Sequence, residues 1–203
     1  MATEAAGHGH AEPAVHTATG LSNVKLGMWA FLASECLLFG ALISTYVLYR
    51  GRLNGGIGPH DVYDIPYTSV SSFVLLMSSL TMVLALAAIQ RGDEEKLRTW
   101  LMATALLGMT FIAGQVYEFT TFVKEGLSIK SNPAASAFFT LTGFHGAHVT
   151  GGILMLLSLF GMSLDGRLGP ERAETVELVG LYWHFVDIVW IIIFTVVYLI
   201  PLK

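Results

Sequence analysis

Six ionisable side chains interrupt otherwise hydrophobic stretches of the chain: Glu35, Glu118, His145, His148, His184 and Asp187. His145 and His148 stand three apart in GFHGAHVTGG, and His184 and Asp187 three apart in YWHFVDIVW. On a helix, residues three apart share a face, so each pair can act as one polar patch. Asp187 can accept a proton from an imidazole or sit beside an imidazolium. Glu35 lies ten residues into 26–49, a stretch with no other charged side chain, which places it about 15 Å along a helix. If the first and fifth helices touch, Glu35 reaches the same patch.

Three kinds of chemistry fit these groups. Buried hydrogen-bonded networks would fix how helices pack and need no reaction at all. Neutral imidazoles could ligate a metal or haem, with two histidines on one face and a third on another helix. Glu, His and Asp lining one interior could also handle protons or ions. A relay should reach both surfaces, yet Glu35 and Asp187 lie near mid-depth and Glu118 lies about 9 Å from the end of its helix, leaving no continuous path in the sequence.

The elements that must position these residues follow from composition. The chain is 54% apolar and only 13% charged over 203 residues, with a mean hydropathy of +0.63. That is the balance of a membrane protein. The eleven Lys and Arg punctuate five hydrophobic runs, 26–49, 68–89, 99–123, 136–161 and 178–200, without entering them. Each run meets the roughly 20 helical residues that a bilayer core requires. The expected fold class is all-α, an integral membrane bundle of five transmembrane helices, because an open sheet cannot satisfy its backbone in lipid.

Residues 1–25 are expected as a mobile N-terminal tail and 26–203 as the five-helix transmembrane domain. The tail, with His8, His10 and His16, lacks the hydrophobic core of a signal peptide. It suits disorder better than metal binding. The Gly-, Pro- and Asp-rich segment 50–67 should form an ordered surface patch. The charged stretch QRGDEEKLR (90–98) should form a tight hairpin between antiparallel helices, and Pro170 marks an early start for the last helix. Gly143, Ala147 and Gly151 repeat every four residues, the pattern that allows transmembrane helices to approach closely. Trp29, Trp100 and Trp183 lie near run ends and fit interfacial anchoring. The single cysteine, Cys36, falls inside the first run and suits packing.

The net charge of −4 and the lack of a basic block indicate no nucleic acid partner. Six cations on the N-terminal side against five on the other slightly favour a cytoplasmic N-terminus.

Four stretches in order, FLASECLLFG, GQVYEF, TGFHGAHVTGG and YWHFVDIVWIIIF, closely resemble subunit III of the haem-copper respiratory oxidases, which comprise cytochrome c and quinol oxidases. The likeness runs from about Leu26 to Ile200. Longer family members carry two further N-terminal helices and a lipid-filled cleft, and this chain is similar to the five-helix bacterial form. The resemblance implies an accessory, non-catalytic subunit of a proton-pumping terminal oxidase that reduces dioxygen to water. It implies a multi-pass protein of the bacterial cytoplasmic membrane with its N-terminus in the cytoplasm.

The implied partners are oxidase subunits I and II and membrane lipids, with membership of a larger respiratory supercomplex left open. The implied role is support of subunit I stability, sustained turnover and proton uptake. Haems and copper belong to the partner subunits, so this chain is assigned no catalytic, cofactor-binding or metal-binding residue. Glu35, Glu118, His145, His148, His184 and Asp187 fall on buried polar positions of the family motifs, and Gly143, Ala147 and Gly151 remain helix-packing candidates. A buried, neutral Glu35 is expected to donate a hydrogen bond to a neighbouring helix. Two rivals use the same residues: a stand-alone proton-coupled transporter or channel, and a haem-bearing membrane anchor.

Overall fold

Polar residues start the helices and glycines stop them. In a computed structural model that describes Gly20 and residues 22–200, Ser22 caps Asn23–Tyr49 (α1), and Asp64 caps Ile65–Gln90 (α2). Asp93 caps Glu94–Lys124 (α3), and Asn132 caps Pro133–Leu164 (α4). Each side-chain oxygen accepts a backbone N–H of the first turn, at 3.2 Å for Ser22, 3.1 Å for Asp64 and Asp93 and 2.8 Å for Asn132. A short 3₁₀ turn, Pro170–Arg172, leads into Ala173–Phe194 (α5), which finishes in a π-helical turn over Thr195–Leu199.

Gly92, Gly126 and Gly166 end α2, α3 and α4 with φ of 72°, 94° and 67°. At each, two backbone bonds close back onto the last turn, as in Gly92 to Ile89 and Asp93 to Ala88, so the final carbonyls are satisfied. The helices overrun the five hydrophobic runs because these caps lie in the polar flanks. The expected tail falls outside the described residues, with His8, His10 and His16, except at its C-terminal end: residues 23–25 already form the first turn of α1.

All five helices are long and apolar enough to cross a membrane, and the described residues contain no strand. α2, α3, α4 and α5 form a closed ring of neighbours, and α1 lies outside it against α4 and α5. Only 11% of the apolar window of α1 is buried, against 33–44% in the others, which identifies it as the outlying helix. Its buried residues, Leu32, Phe39 and Tyr46, recur every seven positions and define one narrow seam. Glu35 sits on that seam between Leu32 and Phe39. At the N-terminal end α1 is tied to α5 by the ion pair Lys25–Glu177 (2.6 Å) and by a hydrogen bond from Ser22 to Glu174.

At the opposite end, the segment between α1 and α2 folds onto the bundle. Asn132 donates to the carbonyl of Ile57 (2.9 Å), and Tyr63 packs 4.4 Å from the ring of Tyr198. His60 lies 5.2 Å from Tyr63 with its Nε2 buried. Burial, then the nearby Arg50, lowers the His60 pKa below that of an ordinary imidazole, with Asp61 opposing. The unfolded segment therefore takes up the proton more readily. The stability that His60 contributes is full above about pH 6.5 and is lost as pH falls through its folded-state value. We expect amide exchange over 55–63, corrected for intrinsic rate, to rise from about pH 7.5 to about pH 5, and His60→Gln to abolish the rise. PH-independent protection in the parent protein would refute this.

Candidate functional site

α2 and α5 meet through three serines of the segment SSFVLLMSSL (71–80). Ser72 and Ser78 each donate their hydroxyl proton to a backbone carbonyl of their own helix, at 2.7 and 2.5 Å. Their oxygens are thereby free to accept the indole N–H groups of Trp190 (2.8 Å) and Trp183 (2.9 Å). Ser79 instead donates to Asp187 Oδ2 (2.5 Å) and faces His184 Nδ1 at 3.2 Å. With its one proton spent on the carboxylate, the Ser79 oxygen must accept, so the network assigns the imidazole proton to Nδ1. His184 and Asp187 thus form one patch, as their spacing predicts, and the link between them is a hydroxyl from another helix. The buried Asp187 Oδ1 has no hydrogen-bond partner among the described residues.

The second histidine pair divides. His145 is fully buried, stacked on Trp190 at 4.9 Å, with Phe111 edge-on at 6.0 Å. His148 turns toward α1, where its Nε2 lies 2.9 Å from Glu35 Oε2. Phe39 stands edge-on to both rings, at 6.4 and 4.9 Å. His148 Nδ1 lies 2.8 Å from the carbonyl of Phe144, which can only accept, so Nδ1 carries a proton. Nε2 then either accepts a proton from a neutral Glu35 or donates one as imidazolium to a carboxylate. In both placements the pair is neutral overall. The fifth helix joins through Tyr182, whose hydroxyl donates to the His148 carbonyl (3.0 Å).

Three expectations need correction. Glu35 does not reach the His184–Asp187 patch, because the seam of α1 points it at α4. His145 and His148 do not share a partner: His148 bonds Glu35, whereas neither ring nitrogen of His145 has a hydrogen-bond partner among the described residues. Trp183 is no interfacial anchor: only 1% of it is exposed, and it fills the centre of the bundle.

What admits that indole is a pair of glycines the spacing did not single out. A Cβ on Gly108 would lie 2.6 Å from Trp183 Cη2, and one on Gly152 2.7 Å from its Cε3. By contrast Gly143 has nothing within 4 Å, Ala147 is exposed, and Gly151 meets only the Tyr182 hydroxyl at 3.6 Å. Within this chain, therefore, that stripe is not where helices approach most closely; the approach is one residue round, at Gly152.

Glu118 is buried and accepts a hydrogen bond from Thr68 at 2.5 Å, which joins α3 to α2. It lines a cavity of about 410 Å³ with Asp64, Tyr67 and Tyr117. Among the described residues no three His, Cys, Asp or Glu side chains come together as a metal donor set. What the six polar residues do share is that each bonds or stacks across a helix boundary, His184 and Asp187 both to Ser79 of α2.

Residues 1–201 match the family described as cytochrome c oxidase subunit III. The chain is 40% identical over 177 residues to cytochrome c oxidase subunit 3 of a Bacillus species, covering 87% of this chain and 86% of that one. It is 36% identical over 196 residues to quinol oxidase subunit 3 of Bacillus spizizenii, covering 97% and 96%. Cytochrome bo(3) ubiquinol oxidase subunit 3 of Pseudomonas aeruginosa is 36% identical over 191 residues, covering 94% and 90%.

Proposed function

The chain belongs to the cytochrome c oxidase subunit III family, as a multi-pass membrane subunit of a terminal oxidase, and from that premise we propose that it is a non-catalytic helical brace. In this reading it packs beside subunits I and II, which hold the haems and copper, in the bacterial cytoplasmic membrane with its N-terminus in the cytoplasm. Lipids fill its remaining flanks, and it joins any larger respiratory assembly through those partners. Its role is to keep subunit I stable through many turnovers and to support proton uptake. Electrons do not pass through it.

The observation that carries this reading is where the buried polar groups are used. Glu35 with His148, Glu118 with Thr68, and Asp187 with Ser79 each tie one helix to another. Intramembrane polar groups that pair across helices serve as interhelical glue. A stand-alone transporter has no support among the relatives, which are named as oxidase subunits.

Isolation from native membranes in mild detergent tests the proposal. The chain should bring down haem-containing subunits that consume oxygen. Recovery of the chain alone, free of any haem-bearing subunit, would overturn it. A stoichiometric haem band on the separated subunit, lost on changing His145 or His184, would overturn the assignment of redox centres to the partners. The electron donor is set by subunit II: a dinuclear-copper ligand set there selects cytochrome c, and its absence selects a quinol.

A further inference from the structure

We propose that His184, Ser79 and Asp187 form a short proton wire that loads Asp187 from a cavity between α2 and α5. This deepens the proton-uptake part of the proposed function and rests on it.

The geometry supplies a donor, a bridge and an acceptor in line. Ser79 Oγ is 3.2 Å from His184 Nδ1 on one side and 2.5 Å from Asp187 Oδ2 on the other. Nδ1 is engaged by Ser79, so Nε2 is the nitrogen left to meet the cavity that His184 lines. That cavity, about 170 Å³, runs beside Gly180 and Met82 to Glu177. At about 30 Å³ of liquid per molecule it has room for about five waters. Its two polar walls are the imidazole and the Glu177 carboxylate. Seven residues separate Glu177 from His184, about 10 Å of helix, so a few waters in file span the gap. Glu177 is at the charged end of the bundle, paired with Lys25. Beyond Oδ2, the buried Asp187 Oδ1 has no hydrogen-bond partner among the described residues, so the wire ends at this carboxyl.

The proton count balances without any other reactant. An excess proton entering the water file at its Glu177 end is passed along as hydronium, and the last water gives it to Nε2 and is left neutral, so the ring becomes imidazolium. Nδ1 then gives its proton to Ser79 Oγ as the serine's own proton moves to Asp187 Oδ2. The products are a neutral imidazole protonated on Nε2, an intact serine hydroxyl and a neutral carboxyl. Discharge runs the same transfers backwards: the carboxyl returns its proton to Ser79 Oγ, the serine returns one to Nδ1, and the imidazolium releases the Nε2 proton to the cavity water, which restores the starting state. The titratable groups that face it are Glu177 from α5 and, through the ion pair, Lys25 from α1. From α2, Met82, Val83 and Leu86 line the cavity and Ser79 supplies the bridge. Asp187 is therefore a proton store with access from one side of the bundle.

The test is infrared spectroscopy of the intact oxidase complex, with the Asp187 carboxyl band identified by its loss in Asp187→Asn. After transfer to D₂O, Ser79→Ala should slow deuterium exchange of that band by about a hundredfold, the low end of what a positioned proton-transfer group contributes. Ser79→Thr, which keeps the hydroxyl, should exchange close to the parent rate. His184→Gln should be slow like Ser79→Ala, and it serves as the readout if Ser79→Ala fails to assemble. Exchange at the parent rate in an assembled Ser79→Ala or His184→Gln complex would overturn the wire, as would an Asp187 carboxyl that stays ionised throughout. Haem content and oxygen uptake of the same parent preparation report on the subunit assignment, so the two failures are distinguishable.

Discussion

Gly152→Ala, and likewise Gly108→Ala, will loosen the bundle and reduce retention of this subunit in the purified oxidase. Each new methyl would start 2.6–2.7 Å from a carbon of Trp183, closer than two carbons can sit. The indole cannot slide away easily. Its other edge is fixed by the hydrogen bond to Ser78, and it is nearly fully enclosed. Overpacking of this kind costs about 1–3 kcal/mol. The two changes meet at the same ring, so their effects in combination will not simply add.

A smaller partner should relieve the clash. Gly152→Ala with Trp183→Leu should recover part of the stability that Gly152→Ala loses, although Trp183→Leu alone is destabilising through lost contacts and an unpaired Ser78 acceptor. The check is the thermal loss of helical circular dichroism, with gel quantification of the subunit in the complex. A Gly152→Ala complex that melts and retains its subunit like the parent would show that Trp183 is not clamped.

The second expected result concerns Glu35 and separates a structural acid from a proton carrier. Glu35→Gln should keep the complex assembled, because the amide N–H₂ can still donate to His148 Nε2 while Nδ1 donates to the Phe144 carbonyl. Glu35→Ala should loosen α1 more, since an unsatisfied buried partner costs about 1–3 kcal/mol and the missing side chain leaves a packing defect. The pair is only partly enclosed, with side-chain exposures of 14% for Glu35 and 18% for His148, so the lower part of that range applies. Initial oxygen consumption should persist in both variants. Endurance over many turnovers should fall, and more so for alanine. Complete loss of initial oxygen reduction in Glu35→Gln, with every subunit and haem present, would establish Glu35 as an obligatory proton carrier and sink its role as a clasp.

The five helices were legible because charge ends each hydrophobic run, and the family because four motifs occur in order. The bonding partners were not. A serine inside a membrane helix commonly bonds its own helix, as Ser44 and Ser158 do with Gly40 and Leu154. Nothing local distinguishes those from Ser72 and Ser78, which make the same kind of bond and also accept an indole. Their one sequence signal is that Ser72 and Ser79 stand seven apart, two turns along one face of α2, with Ser78 beside the second. The closest approach of helices within the chain was hidden for a related reason. Spacing reveals that small residues are present, but whether Gly143 or Gly152 is filled depends on a tryptophan arriving from another helix. Glu35 was correctly isolated from lysine and arginine, while its histidine partner, 113 residues away, could be found only in three dimensions.

That separation along the chain has a temporal side. α1 leaves the ribosome first, and His148 follows 113 residues later. At about 5–20 residues per second, His148 follows Glu35 by roughly 6–23 s. During that interval Glu35 has no mate, and a carboxylate at mid-helix opposes insertion by an amount comparable to the roughly 2.5–3.5 kcal/mol of a central aspartate. The rest of α1 must therefore carry the acid into the bilayer on its own hydrophobicity, which explains why the least buried helix of the bundle has no second charge between Lys25 and Arg50. The newborn helix waits in the membrane for α4, and capture of Glu35 by His148 is the event that ends its independence.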